Sequence, residues 1–211
     1  MISTYIIYFV LSWAVSFLGT LPFGPINLSV VDTTLSKNFR AGIIFASAAA
    51  LIEIVQSFLA LHCSRFIVQT LEENPYVKAF TVGIFILLGI IFLLRKSREE
   101  GVKKEKRFKF STFQHGLFIS SLNMQAIPFW VFVITYLQTA NLLQFDFSAT
   151  TITALFFLSG AALGKFSALY LYAKLSLVIS EKVGAISLWM NKIIGAILLF
   201  IGLIQGIRFF Y

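Results

Sequence analysis

Long apolar stretches alternate with shorter polar connectors along the whole of this 211-residue sequence. A helix needs about 20 mainly apolar residues to cross roughly 30 Å of hydrocarbon. Six stretches are that long: approximately 4–31, 41–64, 76–95, 112–138, 149–173 and 186–209. Backbone groups in lipid must be hydrogen-bonded within their own segment, as they are in a helix. The pattern therefore predicts an all-α integral membrane protein with six transmembrane spans, forming a single transmembrane domain over 1–211.

Composition supports this prediction and argues against a soluble fold. Hydrophobic residues make up 58% of the sequence and charged residues 12%, whereas a soluble domain has about 25% charged residues. A net charge of +8 can indicate nucleic-acid binding, but eight of the 17 basic residues lie in one connector, from Arg95 to Lys109. Basic residues grouped beside membrane spans set topology. We therefore expect the lipid bilayer, and no nucleic acid, as a partner.

Basic residues also predict the orientation of the chain in the membrane. Lys37 and Arg40 follow span 1, the 95–110 connector follows span 3, and Lys174 and Lys182 flank the turn after span 5. The connectors after spans 2 and 4 carry fewer basic residues. The positive-inside rule places the 95–110 connector in the cytoplasm and both termini outside, for a multi-pass protein of the cell (inner, cytoplasmic) membrane.

The two halves of the sequence resemble each other. AALIE at 49–53 matches AALGK at 161–165, and a glycine-containing apolar run in span 3 matches one in span 6. Because each half holds an odd number of spans, the second half must be inverted in the membrane. We therefore expect a 3+3 inverted repeat, with repeat 1 about 1–95 and repeat 2 about 111–211. Such repeats recur in secondary transporters.

Span 1 contains four helix breakers close together: Gly19, Pro22, Gly24 and Pro25. Proline removes a backbone donor and glycine permits unusual dihedrals, so we expect span 1 to be interrupted. Pro25 is well placed as the first residue of a new half-helix. The amides of Ile26, Asn27 and Leu28 would then face the break at the positive end of a helix dipole, which suits a carboxylate. A plain proline kink is the alternative.

Span 4 occupies the same place in the second half and is also predicted to be interrupted. It contains Asn123, Gln125 and Pro128, so a proline is combined with side chains that can satisfy loosened backbone groups. Interruptions in corresponding helices of two halves point to the binding site of a transporter. The candidate substrate-binding residues are therefore Gly24, Pro25, Ile26, Asn27, Asn123 and Gln125.

Two charged residues are predicted to lie near the middle of the membrane. Glu53 is central in span 2, where a charge costs roughly 3 kcal/mol or more, so its side chain should face the bundle interior. Lys165 occupies the matching position in span 5. The two side chains can form a structural ion pair, or they can flank one solute, with Glu53 carrying a coupling proton. Both interpretations stay open at this point.

The sequence contains no recognisable enzyme motif or metal-binding motif. Cys63 is the one cysteine, and His62 and His115 are far apart, so no metal-ligand spacing is present. We expect a transporter that is not an enzyme, with no catalytic residue, no cofactor and no bound metal. Two alternatives remain. One is export of a metal cation, which needs several converging ligands, and the other is a non-transport role in membrane assembly.

One segment resembles a known family. GTLPFGPINLSVVDTTLSKNFRAGIIFASAAALIEIV is similar to the N-terminal signature of the lysine exporter (LysE/RhtB-type) amino-acid exporters. FGP at 23–25 matches the Pro-Gly-Pro-type break of that family, and RAG at 40–42 matches the opening of its second span. Glu53 stands where the family usually has aspartate. In span 4, the Asn-Pro-Lys-Ala of the family reads NMQA at 123–126 in this sequence.

The resemblance implies secondary export of amino acids or related small solutes from the cytoplasm, driven by antiport with an ion gradient and often performed by a homodimer. Our hypothesis is alternating access by the two halves around a site between the breaks of spans 1 and 4. The amides after Pro25 would hold the solute carboxylate, and Glu53 would bind its ammonium group or a coupling proton. Asn27, Asn123 and Gln125 would supply polar contacts.

Overall fold

The computed structural model describes residues 2–22, 24–73, 111–123, 126–139, 142–143 and 151–180, with scattered positions in 83–94 and 192–207. The described residues form an all-helical structure. Its six continuous helices are α1 (Ile2–Thr20), α2 (Pro25–Ser36), α3 (Phe39–Glu73), α4 (Thr112–Ser121), α5 (Ala126–Thr139) and α6 (Thr151–Lys174). Within these ranges no residue is in a strand. The all-α prediction is therefore confirmed for this part of the chain.

Among the described helices, two are long and apolar enough to cross a membrane without interruption. They are Phe39–Ser64, within α3, and Ile152–Lys174, within α6. The pairs α1 with α2 and α4 with α5 pass the same test only when each pair is taken as one bent span, with bends of 78° and 61°. The described residues thus contain up to four spans. The predicted spans 76–95 and 186–209 and the 95–110 connector lie outside the described residues, apart from the scattered positions.

Polar side chains mark the starts of the helices that follow the predicted cytoplasmic connectors. Ser111 and Gln114 form a capping box at the start of α4, in which Ser111 Oγ accepts from the Gln114 amide at 3.2 Å and Gln114 Oε1 accepts from the Ser111 amide at 3.0 Å. Asn38 lies between α2 and α3, and its Oδ1 accepts from the Ala41 amide at 2.9 Å. These bonds satisfy amides that have no partner within the helix.

The first helix of each half packs on the long helix of the other half through glycine. A Cβ atom at Gly164 of α6 would lie 2.3 Å from the Trp13 carbonyl oxygen of α1, and one at Gly116 of α4 would lie 2.7 Å from the Phe45 carbonyl oxygen of α3. Both distances are far below a normal contact, so only glycine allows the two backbones to approach so closely. Both halves therefore use the same kind of contact with each other.

Two apolar clusters fill the interior and show the relative direction of α3 and α6. The Trp130 cluster contains Tyr8, Ala60, Leu61, Trp130, Val133, Ile134, Leu137, Leu143, Phe157, Leu158 and Ala161. The Phe45 cluster contains Ile26, Val30, Val31, Phe45, Ala46, Ala49, Leu169, Tyr172, Ala173 and Ile179. Along α3 the Phe45 cluster comes before Glu53 and the Trp130 cluster after it, while along α6 the order around Lys165 is reversed. The two long helices therefore run in opposite directions, with both charged residues between the clusters.

Candidate functional site

Glu53 of α3 and Lys165 of α6 form an ion pair in the interior. Lys165 Nζ lies 2.5 Å from Glu53 Oε2, and the side chains of Lys165 and Glu53 are only 3% and 5% exposed. Two charges removed from water each carry a large desolvation cost, which their mutual attraction offsets only at such short range. The sequence leaves open whether these residues pair with each other, and the structure shows that they do.

Two further helices contribute polar groups to the pair. Trp130 of α5 donates from Nε1 to Glu53 Oε1 at 2.5 Å, so both oxygens of the carboxylate accept a hydrogen bond. Lys165 Nζ also donates to Ser120 Oγ of α4 at 3.4 Å, and Ser120 Oγ donates to the Ala49 carbonyl oxygen at 3.3 Å. Trp130 and Ser120 are fully buried. The charged pair is therefore held by side chains from α3, α4, α5 and α6.

After the break between α1 and α2, the second half-helix begins at the residue that the sequence predicts. Pro25 is the first residue of α2, and Gly24 before it is the N-cap residue in an extended conformation, with φ −141° and ψ 176°. A proline at this position removes no helix hydrogen bond, because the first amides of a helix have no intrahelical acceptor. The prediction that Pro25 begins a new half-helix is confirmed.

Asn27 fills this first break with its own side chain. Its Nδ2 donates to the carbonyl oxygens of Thr20 and Pro22, at 2.6 and 2.9 Å, and the residue is 4% exposed. The Leu28 amide donates to the Gly24 carbonyl oxygen at 3.1 Å, as the first regular bond of α2, and so it does not face the break. Tyr172 of α6 donates from its hydroxyl to the Leu21 carbonyl oxygen, which attaches the break to the second half.

Gly19, one of the predicted helix breakers, lies in the last turn of α1, one residue before that helix ends. α1 continues to Thr20, and the Leu21 amide still donates to the Phe17 carbonyl oxygen at 3.2 Å. The absence of a side chain leaves room for a neighbouring ring, since a Cβ atom at Gly19 would lie 2.5 Å from Cζ of Phe129 in the first turn of α5, and the ring would have to shift. Gly19 and Phe129 therefore bring the two breaks into contact. Pro22, in contrast, lies between the two helices, as expected.

The break between α4 and α5 precedes the proline that was expected to cause it. Pro128 is the third residue of α5, which begins at Ala126. In the first turn the missing amide of a proline removes no helix hydrogen bond, so Pro128 is compatible with the start of α5 and does not interrupt it. Asn123 lies in the gap between the helices, while Gln125 is outside the described residues.

Gln56 of α3 holds this second break. Its Nε2 donates to the carbonyl oxygens of Ser120 and Asn123, at 3.1 and 3.2 Å, and the residue is 5% exposed. These carbonyls are at the end of α4, where the regular helix bonds stop. No role is predicted from the sequence for Gln56, Ser120 or Trp130. The available signal was the spacing of Gln56 three residues after Glu53, which places two polar side chains on one face of an apolar helix.

The side chains that commonly bind metals lie apart from one another in the described part of the chain. Among the residues that the structure describes, no three His, Cys, Asp or Glu side chains come together. Cys63 is exposed near the end of the apolar part of α3, and the adjacent His62 ring lies against the Phe58 carbonyl oxygen at 3.0 Å. The described site is an ion pair without net charge between α3 and α6, with a broken span in each half of the chain.

The family comparison agrees with this geometry. No curated protein and no solved structure matches the chain. The LysE type translocator family matches residues 17–207, a region that includes both breaks and the ion pair. The members of this family are transporters of small solutes and are not a family of enzymes. The match covers most of the chain and confirms the resemblance seen in the sequence, so this multi-pass membrane protein belongs to the LysE type translocator family.

Proposed function

We propose that this protein exports amino acids or related small solutes from the cytoplasm by alternating access of its two halves, coupled as an antiporter to an ion gradient. In this proposal the protein is in the inner membrane, its 95–110 connector is cytoplasmic, both termini are outside, and it works as a homodimer. Secondary transporters with internal repeats bind solute between the repeats, near the middle of the membrane.

The observation that carries the proposal is the ion pair between Glu53 and Lys165. The two residues are 112 positions apart, the same offset that relates the matching segments of the two halves. Two equivalent residues can touch only where the axis relating the halves passes between them. The opposite directions of α3 and α6 around this pair favour an axis in the membrane plane, which is the geometry of an inverted repeat. The pair therefore lies where two rocking halves would meet.

Protonation of Glu53 would couple the ion gradient to movement of the two halves. A proton on Glu53 removes the negative charge, leaving the Lys165 ammonium without its counter-ion inside the protein. The halves would then no longer be attracted to each other at this point. We propose that Glu53 is the coupling group and that protonation weakens the contact between α3 and α6. Lys165 would then be available to the carboxylate of a solute.

The breaks supply the other groups of the proposed site. In the described part of the chain the amides of Ile26 and Asn27 make no hydrogen bond, and they are at the positive end of α2. They remain our candidates for holding a solute carboxylate, with Gly24 and Pro25 giving close approach to the backbone. Asn123 and Gln125 are proposed for the second break. The Asn27 side chain is engaged within the protein, so its backbone is the better candidate.

The experiment is an export assay in cells that have few amino-acid exporters of their own. Cells loaded with dipeptides are followed for intracellular amino acids with no protein, wild type, Glu53→Gln, Lys165→Met and Ser64→Ala. Ser64 is a matched control because it is also buried in α3 and its hydroxyl donates only to the Leu61 carbonyl oxygen, at 2.9 Å. We expect wild type and Ser64→Ala to lower one or a few amino acids faster, and Glu53→Gln to lose the response to external pH.

Two results would contradict the proposal in different ways. If no amino acid responds although the protein reaches the membrane, amino-acid export is wrong. If Glu53→Gln behaves like wild type across the pH range, export stands and the coupling role is wrong. The two alternatives have outcomes of their own: cadmium or zinc sensitivity on deletion favours a metal-cation exporter, and a copurifying partner without any solute effect favours an assembly protein.

A further inference from the structure

A groove on the surface of the protein lies between α1 and α6. It has a volume of about 370 Å³ and is lined by Phe17 of α1 and by Phe166, Ser167, Tyr170 and Leu171 of α6. Tyr170 and Leu171 are 37% and 38% exposed, so the groove is open on the side that faces away from the protein interior. An exposed apolar surface on a membrane-spanning helix faces lipid.

The groove offers mainly apolar surface to a ligand. Ser167 is a polar residue in its wall, but the hydroxyl of this serine is already engaged. It donates to the Leu163 carbonyl oxygen at 2.7 Å and accepts from Trp13 Nε1 at 3.3 Å. The Trp13 ring also stacks on that of Phe17, with ring centroids 5.5 Å apart. A wall of aromatic and aliphatic side chains suits a hydrocarbon chain better than a polar solute.

The groove follows the half of α6 that leads from the buried ion pair to the end of the helix. Phe166 directly follows Lys165, which is near the middle of the Ile152–Lys174 span, and Lys174 is the last residue of α6. At a rise of about 1.5 Å per residue, 165–174 covers about 14 Å, close to half of the roughly 30 Å of hydrocarbon in a bilayer. The groove therefore fits within one leaflet.

Two basic residues lie at the end of the groove where α6 ends. Lys174 comes four residues after Tyr170 and three after Leu171, which places it on the same face of α6, one turn further along. Arg40 is in the first turn of α3, next to Phe39, whose ring contacts the Tyr170 ring edge to face with centroids 5.8 Å apart. Both basic residues are exposed, and neither forms an ion pair with a residue that the structure describes.

We propose that this groove binds one anionic phospholipid. An acyl chain lies along Phe17, Tyr170 and Leu171, and the phosphate group lies near Arg40 and Lys174. Apolar contact attracts any phospholipid, whereas the two cations select a headgroup with a net negative charge, by about fivefold for each basic residue. The inference does not depend on the proposed function, since it needs only a lipid-facing groove with cations at its end. Because α1 belongs to the first half and α6 to the second, the bound lipid bridges the two halves and stabilises their contact.

The test compares two lipids that differ only in the charge of the headgroup. Purified, delipidated protein in detergent is titrated with phosphatidylglycerol and with phosphatidylcholine that carry the same acyl chains, and apparent Kd is read from native mass spectrometry and from thermal stabilisation. Wild type, Arg40→Gln, Lys174→Gln, Leu171→Ala and Lys37→Gln are compared. Lys37 is a matched control because it is an exposed cation three residues before Arg40, but its Nζ donates to Thr112 Oγ1 of α4 at 2.8 Å.

We expect wild type and Lys37→Gln to prefer phosphatidylglycerol to the same extent. Arg40→Gln and Lys174→Gln should each lose about fivefold of that preference, and the double variant most of it. Leu171→Ala should weaken both lipids and leave the preference unchanged, because it reduces the apolar wall and keeps both cations.

Three results would overturn the inference. If wild type binds both lipids equally, the cations do not select a headgroup. If Lys37→Gln lowers the preference as much as Lys174→Gln, the attraction belongs to the charge of the whole surface, and Lys174 serves only to set topology. If Leu171→Cys in a Cys63→Ser background forms a disulfide between two copies in the membrane, a second copy covers the groove instead of a lipid. The export assay is independent of all three, so the proposed function stands or fails separately.

Discussion

The two breaks have similar bends but are stabilised in different ways. The break between α1 and α2 is stabilised by residues next to it in sequence. Gly24 is the N-cap of α2, Pro25 is its first residue, and Asn27, its third residue, bonds to the free carbonyl oxygens before the break. Between α4 and α5 the sequence LNMQ at 122–125 contains neither glycine nor proline. The carbonyls there bond to Gln56, which belongs to the other half of the protein.

This difference assigns different tasks to the two breaks. The first break is maintained mainly by the local bonds of Asn27, with one bond from Tyr172 of the second half to the Leu21 carbonyl oxygen, so we expect most of its geometry to persist when the halves move relative to each other. The second break depends on α3 remaining close to α4, so movement between the halves should change its geometry. If the halves move as proposed, we therefore expect the second break to change its geometry more than the first.

The largest expected effect follows from unpairing the charges beside the second break. Lys165→Met leaves the Glu53 carboxylate buried with Trp130 as its remaining donor, and losing one partner of a buried pair typically costs about 3–5 kcal/mol. Because Lys165 also donates to Ser120, we expect faster amide hydrogen exchange in 118–130 than in wild type, with little change in 17–28.

Thermal unfolding in detergent and hydrogen-exchange mass spectrometry measure these two effects. The control is Glu53→Gln combined with Lys165→Met, which removes both charges and should recover most of the lost stability. Equal stability of the single and double variants would show that the buried charge is not the cause.

The second effect comes from removing the side-chain amide at each break. Gln56→Met and Asn27→Leu each remove two hydrogen bonds to carbonyl oxygens, which we expect to cost about 1–3 kcal/mol. Amide exchange should rise only around the second break in Gln56→Met and only around the first break in Asn27→Leu. Exchange that rises at both breaks in either variant would mean that the breaks are coupled and that the comparison drawn above is wrong.

The smallest expected effect comes from adding one methyl group before or after the first break, at Gly19 or at Gly24. At Gly19 the new Cβ would lie 2.5 Å from the Phe129 ring, so Gly19→Ala should destabilise the protein by about 1 kcal/mol. At Gly24 no atom lies within 4 Å of the new Cβ and the backbone is extended, so Gly24→Ala should change stability by less than about 0.5 kcal/mol.

Thermal unfolding of both variants provides the measurement, and Phe129→Leu in the Gly19→Ala background provides the control, because a smaller side chain should relieve the contact. A larger loss for Gly24→Ala than for Gly19→Ala would contradict the packing argument. Gly24→Ala also gives a direct test of the proposed site. If the fold is unchanged while export falls, the methyl group occupies space that the solute needs.

Features with a local cause could be predicted from the sequence, whereas features that depend on distant contacts could not. Hydropathy predicts the uninterrupted spans in α3 and α6. Proline chemistry predicts the start of α2 at Pro25, and the cost of burying charge predicts the interior position of Glu53 and Lys165. Two predicted breakers, Gly19 and Pro128, lie within the last turn of α1 and the first turn of α5. A glycine can give room to a neighbouring ring, and a proline in a first turn removes no helix hydrogen bond, so neither residue type by itself identifies a break.

Tertiary contact alone decided which groups surround the charges. Trp130, Ser120 and Gln56 come from three helices, and no pattern along the chain indicates that their polar atoms meet Glu53 or the end of α4. Hydropathy and helix breakers act within a few residues, so the sequence by itself determined a membrane-embedded helical protein with an interrupted first span and two buried charges. Hydrogen bonds between distant residues depend on how helices pack, and packing therefore decided that the charges pair and that Gln56 bonds to the carbonyl oxygens at the second break.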